Sequence, residues 1–473
     1  MVYQNAAENK KKFVIWGCGN YLNLVIDRLS PDMDILFACD NNARKWGHTI
    51  TERKIKCVSP DQLRGLEDIV VLIAVQAKHA VREIVEELEG LHIPYCHINE
   101  AVKAYRTTYE SVQIEEYKST IGRLREPEGR DLLKCFISVS VPVQACQLKC
   151  AYCYIGQTGG FENIDVVLPS AGFIRKALSR KRLGGTALIN FCGAGETLLC
   201  RELFHIVREL LEEGHYVSII TNALLSGEID RYLQLSTELR KRLFFKCSFH
   251  YRQLKERNLL EAYSRNVNQI WKSGASISVE LVPEDELVPQ IPEIRRFCME
   301  HFGALPHITV ARDESQAEMP IITEYDDEEY KNIWGQFMSP MFELKMSWMN
   351  KRTEYCTAGK NTFLFSLESG RISPCPGEKD YFNIYENISR KIPYREIGYA
   401  CSSPYCRNAH AYLALGIVKE VDCGTYLQVR DRLTERGGNW VNPEMAAIFA
   451  QRICDNQEGE CEDSEQANSF FGG

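Results

Sequence analysis

The chain has 473 residues, 45% hydrophobic and 25% charged, the balance of a soluble globular protein with two or three domains. Its 56 Lys and Arg against 64 Asp and Glu leave a net charge of −8, which argues against nucleic acid as the main partner. No apolar run approaches the roughly 18–20 residues that span a bilayer, and the run before Gly17 is too short for a signal-peptide core. The chain therefore reads as cytoplasmic. From Lys12, FVIWGCGNYLNLVIDRL is a buried strand, a glycine turn and a helix with Leu22, Val25, Ile26 and Leu29 at helical spacing. ILFACD, IVVLIAV (69–75) and IPYCHI are further strands, and AVREIVEELEG is a helix ending at Gly90. This alternation indicates a parallel α/β unit over 1–105. A charged, strand-free connection over 106–130 follows.

A second series occupies 131–315. Its strands are expected at 135–141, 187–191, 216–221, 243–249, 276–282 and 307–312. Single amphipathic helices are expected between them, over 172–183, 198–214, 229–242, 259–274 and 291–303. Six strand–helix repeats of about 30 residues suit a partial (β/α)6 TIM-like barrel, whose active site lies at the carboxyl ends of the strands. After Arg312 the pattern breaks into the acidic DESQAE and EYDDEEYK stretches, and a connecting segment is expected over 316–352. The region 353–430 is punctuated by Gly and Pro, holds five cysteines and shows little core of its own. PEMAAIFAQRICDNQ reads as one late helix within 431–473, before a polar, flexible tail.

The chain contains 19 cysteines, more than packing requires, and a reducing compartment disfavours disulfides. Cys146, Cys150 and Cys153 form a C-x3-C-x2-C loop directly after the first strand of the second series. Three thiolates on one loop hold three irons of a [4Fe–4S] cube and leave the fourth open to a small molecule. Zinc is the alternative, although it prefers four ligands and no fourth lies nearby in sequence.

With Tyr152 before the last cysteine, at the top of a barrel strand, this loop resembles that of the radical S-adenosylmethionine superfamily. The resemblance extends to ALINFCGAGETLL, which places Gly193, Gly195 and Glu196 where the family binds the methionine moiety. Ala194 and Thr197 depart from the common GGEP form. Thr221 and Asn222 stand where the family often carries TNG, and Ser248 is the implied ribose contact. His250, Glu280 and Arg312 end neighbouring strands and are candidates for the same mouth. The implied chemistry is reductive cleavage of S-adenosylmethionine to methionine and a 5′-deoxyadenosyl radical, which abstracts hydrogen from substrate. It implies a low-potential donor such as flavodoxin or ferredoxin, and an anaerobic setting.

Cys356, Gly370 and Cys375 form a C-x13-G-x4-C run, followed by Cys401, Cys406 and Cys423. This resembles the SPASM or Twitch auxiliary-cluster extension of the same superfamily, without its CxxCx5CxxxC block. FLFSLESGRI is a hairpin turning at Glu368–Gly370 that brings Cys356 and Cys375 together. Cys356, Cys375, Cys401 and Cys406 are the expected ligands of a second [4Fe–4S] cluster, with Cys423 the competitor and a zinc ribbon the alternative. Most other cysteines read as packing, with Cys192 the one nearest the site.

In the first domain, Gly17, Gly19 and Asp40 match a Rossmann fingerprint, except that Leu22 replaces the third glycine. CDNNARKWGHTI…IKCVSPDQL resembles the Rossmann-like domain of sugar acyltransferases, whose pocket takes a nucleotide or nucleotide-sugar. The leading substrate is therefore a sugar, nucleotide-sugar or related small metabolite of cell-surface polysaccharide synthesis. A peptide or protein maturase is the runner-up. A non-catalytic iron–sulfur electron carrier or redox sensor is the alternative of another class.

Overall fold

The computed structural model describes residues 2–105, 132–158, 168–385 and 392–457, apart from residues 9, 27, 28, 52, 76 and 103. The connection expected over 106–130 and the polar tail expected from 458 onward lie outside the described residues. Two units are distinct, Met1–Glu128 and Gly129–Gly473.

The first unit holds one sheet of strands β1 (Lys12–Trp16), β2 (Ile35–Cys39), β3 (Thr49–Ile50), β4 (Ile55–Val58), β5 (Ile69–Ile73) and β6 (Tyr95–His97). Their order is β3-β4-β2-β1-β5-β6, and all neighbours but β3 and β4 are parallel. Side chains alternate across a strand, so Phe13, Ile15, Val70 and Leu72 enter one core while Val14, Trp16, Val71 and Ile73 enter the other. Burial on both faces explains the unbroken apolar runs. The order reverses between β1 and β5, where Gly17 follows β1. Its φ of +114° lies in the region glycine favours, and a Cβ there would meet Val75 Cγ2 at 2.6 Å and the Ala74 carbonyl at 2.7 Å.

In the second unit the strands are β7 (Leu133–Val141), β8 (Thr186–Gly193), β9 (Tyr216–Thr221), β10 (Leu243–Phe249), β11 (Ser276–Leu281) and β12 (His307–Ile308). They lie in sequence order, each parallel to the next. One face carries Ile137, Val139, Ile189, Phe191, Val217, Ile219, Phe245, Cys247, Ile277 and Val279 into the main core. The helix Leu203–Glu212 meets that core through Leu203, Ile206, Val207, Leu210 and Leu211, a stripe of helical period. The alternate residues, Ser140, Cys192, Lys246, Ser248, Ser278 and Glu280, face the other way.

Several sequence expectations need correction. The helix expected over 172–183 is two, Ala171–Ala177 and Arg180–Leu183, because Ser179 takes extended backbone. The helix expected over 229–242 divides into Ser226–Leu233 and Thr237–Arg240, since Ser236 caps the second by accepting from Leu239 N–H. The late helix stops at Phe449, and Ile453–Gln457 is a separate 3-10 turn. The sixth strand ends at Ile308 rather than Arg312. Arg312 instead bridges Ile321 in antiparallel fashion, with Asp313 N–H bonded to the Pro320 carbonyl, so a local reversal takes the backbone groups a strand would need.

The region after 353 also has a core, contrary to expectation. Strand β13 (Thr362–Ser366) pairs in parallel with β7, and β14 (Arg371–Ser373) and β15 (Phe382–Asn383) extend the sheet in antiparallel fashion. Phe363, Phe365, Leu367 and Ile372 thereby join the main core. The hairpin turns at Gly370, whose φ is +75°.

Candidate functional site

The cysteine loop begins where β7 ends. Leu148 is buried within it, Lys149 adopts left-handed backbone with φ 53°, and Cys153 N–H bonds to the Cys150 carbonyl at 3.1 Å. Arg257 holds the loop from outside, donating to the Gln147 carbonyl at 2.7 Å and the Leu148 carbonyl at 2.8 Å. Cys150 is buried, and Cys146 and Cys153 are partly so. Burial pushes the Cys150 thiol up to about 12, with Cys146 and Cys153 close enough to add to the shift. Cys153 is raised by burial as well and also feels Cys146.

The glycine–glutamate segment after β8 clamps this loop to the tip of β9. Glu196 donates its backbone N–H to the Ala145 carbonyl at 2.8 Å. Its buried carboxylate accepts from Thr221 Oγ1 at 2.6 Å, Asn222 N at 2.7 Å and Leu198 N at 3.0 Å. A Cβ on Gly195 would stand 2.1 Å from the Ala145 carbonyl, so glycine is required by close approach. Gly193 N–H bonds to Thr197 Oγ1 at 2.9 Å, which gives the residue in place of proline a definite role. Asn222 completes the contact, its Nδ2 lying 3.9 Å from Cys146 Sγ.

Across the same end of the sheet, the Tyr152 hydroxyl meets His250 Nδ1 at 2.5 Å. Burial pushes His250 down to about 4, so the ring is neutral near pH 7. Ser248 lies on β10 in register with Glu280 on β11 and is half-buried. Glu280 pairs with Arg430 and accepts from Ser278 Oγ at 3.1 Å. Arg312 pairs with Glu314 at 3.0 Å.

Cys356, Cys375, Cys401 and Cys406 form a second group. Burial raises Cys375 well above its ordinary value, and Cys406, Cys356 and Cys401 each add to the rise. Burial also pushes Cys406 up to about 12, reinforced by Cys356 and Cys401. Cys423 packs at the edge of the same hydrophobic cluster but feels Arg452 and Asp422 rather than these four thiols.

Among the described residues, no three His, Cys, Asp or Glu side chains converge on a point that one ion would occupy. A [4Fe–4S] cube makes a different demand, because each thiolate takes a separate iron. An all-thiol donor set, three on one built loop and four that feel one another's charge, has the chemistry such cubes take. The raised thiols match as well, since iron supplies the positive charge that a buried thiolate requires.

In the first unit, Asp40 is already engaged. Its Oδ2 accepts from Cys18 N and Lys45 Nζ, both at 2.8 Å, and its Oδ1 accepts from Asn42 N at 2.9 Å. Gly19 caps the helix Asn20–Val25, with open space where its Cβ would be.

Sequence reasoning missed Lys246, Lys345, His410 and Arg430. Lys246 left a signal, a lysine inside the apolar strand run LFFKCSF. The other three come from helices remote in sequence and left none.

No protein-family model and no curated protein matches the chain. Among solved structures it is similar to SuiB of Streptococcus suis bound to S-adenosylmethionine, at 14% identity and TM-score 0.41, over 66% of this chain and 75% of that one. It is also similar to native anSMEcpe with bound AdoMet, at 14% identity and TM-score 0.39, over 53% of this chain and 78% of that one. A third similar structure is BtrN in complex with AdoMet and 2-DOIA, at 14% identity and TM-score 0.26, over 57% of this chain and 80% of that one.

Proposed function

We propose that this chain is a radical S-adenosylmethionine enzyme. One observation carries the reading: the C-x3-C-x2-C loop at the carboxyl end of β7 is clamped by Gly195 and Glu196 to the tip of β9, where Asn222 reaches Cys146. Cys146, Cys150 and Cys153 would hold a [4Fe–4S] cluster, with S-adenosylmethionine beside Gly193, Gly195, Glu196 and Ser248 on a partial-barrel scaffold. Cys356, Cys375, Cys401 and Cys406 would hold an auxiliary cluster. When bound, these groups supply one-electron cleavage of S-adenosylmethionine and hydrogen abstraction from substrate. The chain's own part is positional. Glu196 fixes the two loops, Arg257 anchors the cysteine loop, and neutral His250 holds the Tyr152 hydroxyl beside it.

The substrate we favour is a small metabolite such as a sugar or nucleotide-sugar. Support comes from the first unit, whose parallel strands reverse order between β1 and β5, the crevice where doubly wound sheets bind nucleotides. Electrons would come from a cytoplasmic flavodoxin or ferredoxin.

The test is anaerobic reconstitution of the full chain with iron and sulfide. About eight irons per chain are expected for two cubes, together with 5′-deoxyadenosine formed from S-adenosylmethionine by the reduced protein. Cys146→Ala, Cys150→Ala and Cys153→Ala should each abolish cleavage and lose about four irons. Cleavage that is absent from the reduced, iron-loaded wild type would sink the enzymatic reading. Assays with nucleotide-sugars and with peptides then separate the small-molecule reading from a peptide maturase.

A further inference from the structure

The polar face of the second sheet carries charge that cluster and cofactor binding do not use. Lys246 stands in the middle of β10, in register with Ile220 of β9 and Ser278 of β11, and is only 4% exposed. No hydrogen bond or ion pair neutralises it among the described residues. Arg430, fully buried on the helix Tyr426–Arg430, spends Nη1 on Glu280 and lies 5.2 Å from the Tyr426 ring centre. Its Nε and Nη2 are sealed from solvent with no well-aligned acceptor, the Tyr426 side chain being the nearest polar group to the guanidinium besides Glu280. Lys345, from the helix Pro340–Ser347, reaches Thr309 Oγ1. Arg312 stands nearby but is matched by Glu314. Three basic side chains therefore act on one carboxylate, Glu280.

A chain selected only for folding has little reason to keep this arrangement, since an apolar side chain at Lys246 removes an unpaired buried charge. The unused donors of Arg430 are also informative. Nε and Nη2 form the side-on edge of the guanidinium, which matches two oxygens of one phosphate or carboxylate. Solvent reaches the rim, where Cys192, Ser248, Glu280, Lys345 and His410 each keep partial exposure, while Lys246 and the Nε and Nη2 of Arg430 lie beneath it. Cys192 feels the charges of both Cys153 and Lys246, so the cysteine loop and the basic side chains act on the same end of the sheet.

We propose that Lys246, Lys345 and Arg430 form an anion-binding subsite that receives a phosphate or carboxylate group of the substrate. Only the word substrate rests on the enzymatic reading above; the binding does not depend on it. Two lysines and the free edge of Arg430 surround the anion's oxygens, and Glu280 keeps Arg430 in position.

The test uses the anaerobically reconstituted full chain, with inorganic phosphate and acetate as probes and chloride at matched ionic strength as control. Phosphate or acetate should bind saturably and raise the melting temperature. Lys246→Met should weaken that binding roughly tenfold or more and leave S-adenosylmethionine affinity unchanged. Lys345→Met is the second variant, for use if the first does not fold, and should show the same loss. An equal anion effect in wild type and both variants overturns the proposal. A parallel loss of S-adenosylmethionine affinity overturns it too, because the cations would then serve the cofactor's own carboxylate. Lys246-dependent anion binding without S-adenosylmethionine cleavage keeps the subsite and removes the enzymatic reading. Cleavage without such binding does the reverse.

Discussion

The Asn222 backbone N–H donates to the buried Glu196 carboxylate at 2.7 Å, while the Asn222 side chain lies 3.9 Å from Cys146 Sγ. These two contacts join three strand tips, those of β7, β8 and β9, around a single carboxylate. Cysteine geometry is therefore set partly by a residue that is not a cysteine.

Glu196→Ala removes one acceptor from each of three donors, Thr221 Oγ1, Asn222 N and Leu198 N. Unsatisfied buried donors of this kind cost about 1–3 kcal/mol each before relaxation. A net loss of about 3 kcal/mol is expected in denaturant unfolding, with Glu196→Gln losing less because one acceptor oxygen remains. Iron retention at the first cluster should fall in the same order. Equal stability of wild type and Glu196→Ala would contradict the clamp.

Gly195→Ala places a methyl group 2.1 Å from the Ala145 carbonyl and 2.6 Å from the Gln144 carbonyl carbon. These neighbours are backbone rather than a flexible side chain, so about 1–3 kcal/mol of overpacking strain is expected. The readout is the melting temperature together with the iron content of a Cys375→Ala background, which isolates the first cluster. Unchanged iron loading there would show that the two loops move independently.

Cys375→Ala and Cys423→Ala should differ. Cys375 shares its surroundings with Cys356, Cys401 and Cys406, whereas Cys423 faces Arg452 and Asp422. The first substitution is expected to lose about four irons per chain and the second none. Iron analysis after desalting distinguishes them, and the opposite ranking would make Cys423 the ligand.

Burial, reinforced by the nearby Arg312 charge and opposed by Glu280, pushes Lys345 down to about 7 from an ordinary lysine value. The folded state therefore binds this proton less tightly than the unfolded chain. The group's contribution to stability is complete at high pH and is lost as pH falls from the unfolded lysine value toward about 7. Wild type should thus gain stability relative to Lys345→Met as pH rises through that window. Parallel unfolding profiles for the two proteins would show that Lys345 titrates as an ordinary surface lysine.

Much of the fold was legible because local and tertiary preferences agree. The strands Tyr216–Thr221 and Leu243–Phe249 have the limits their apolar runs suggest, and the helix Lys78–Gly90 ends at its glycine. Helix breaks at Ser179 and Ser236 were hidden because an amphipathic stripe can continue across a serine that leaves helical backbone. Strand β13 was read as half of a local hairpin. Its pairing with β7, more than 200 residues earlier, depends on a sheet edge that no short window reveals.

By itself the sequence determined the chemistry on offer. Spacing along one loop is a local property, so C-x3-C-x2-C, the glycine–glutamate segment and C-x13-G-x4-C could all be read directly. Tertiary structure decided which of these groups meet. It set Cys356, Cys375, Cys401 and Cys406 where each feels the others' charge, and it turned Glu196 into a clamp on Asn222. It also brought Lys246, Lys345 and Arg430 from three separate elements around Glu280. The reason is physical: a charge buried on a strand has consequences only through what the rest of the chain packs against it, and those partners lie roughly 100 to 180 residues away in sequence.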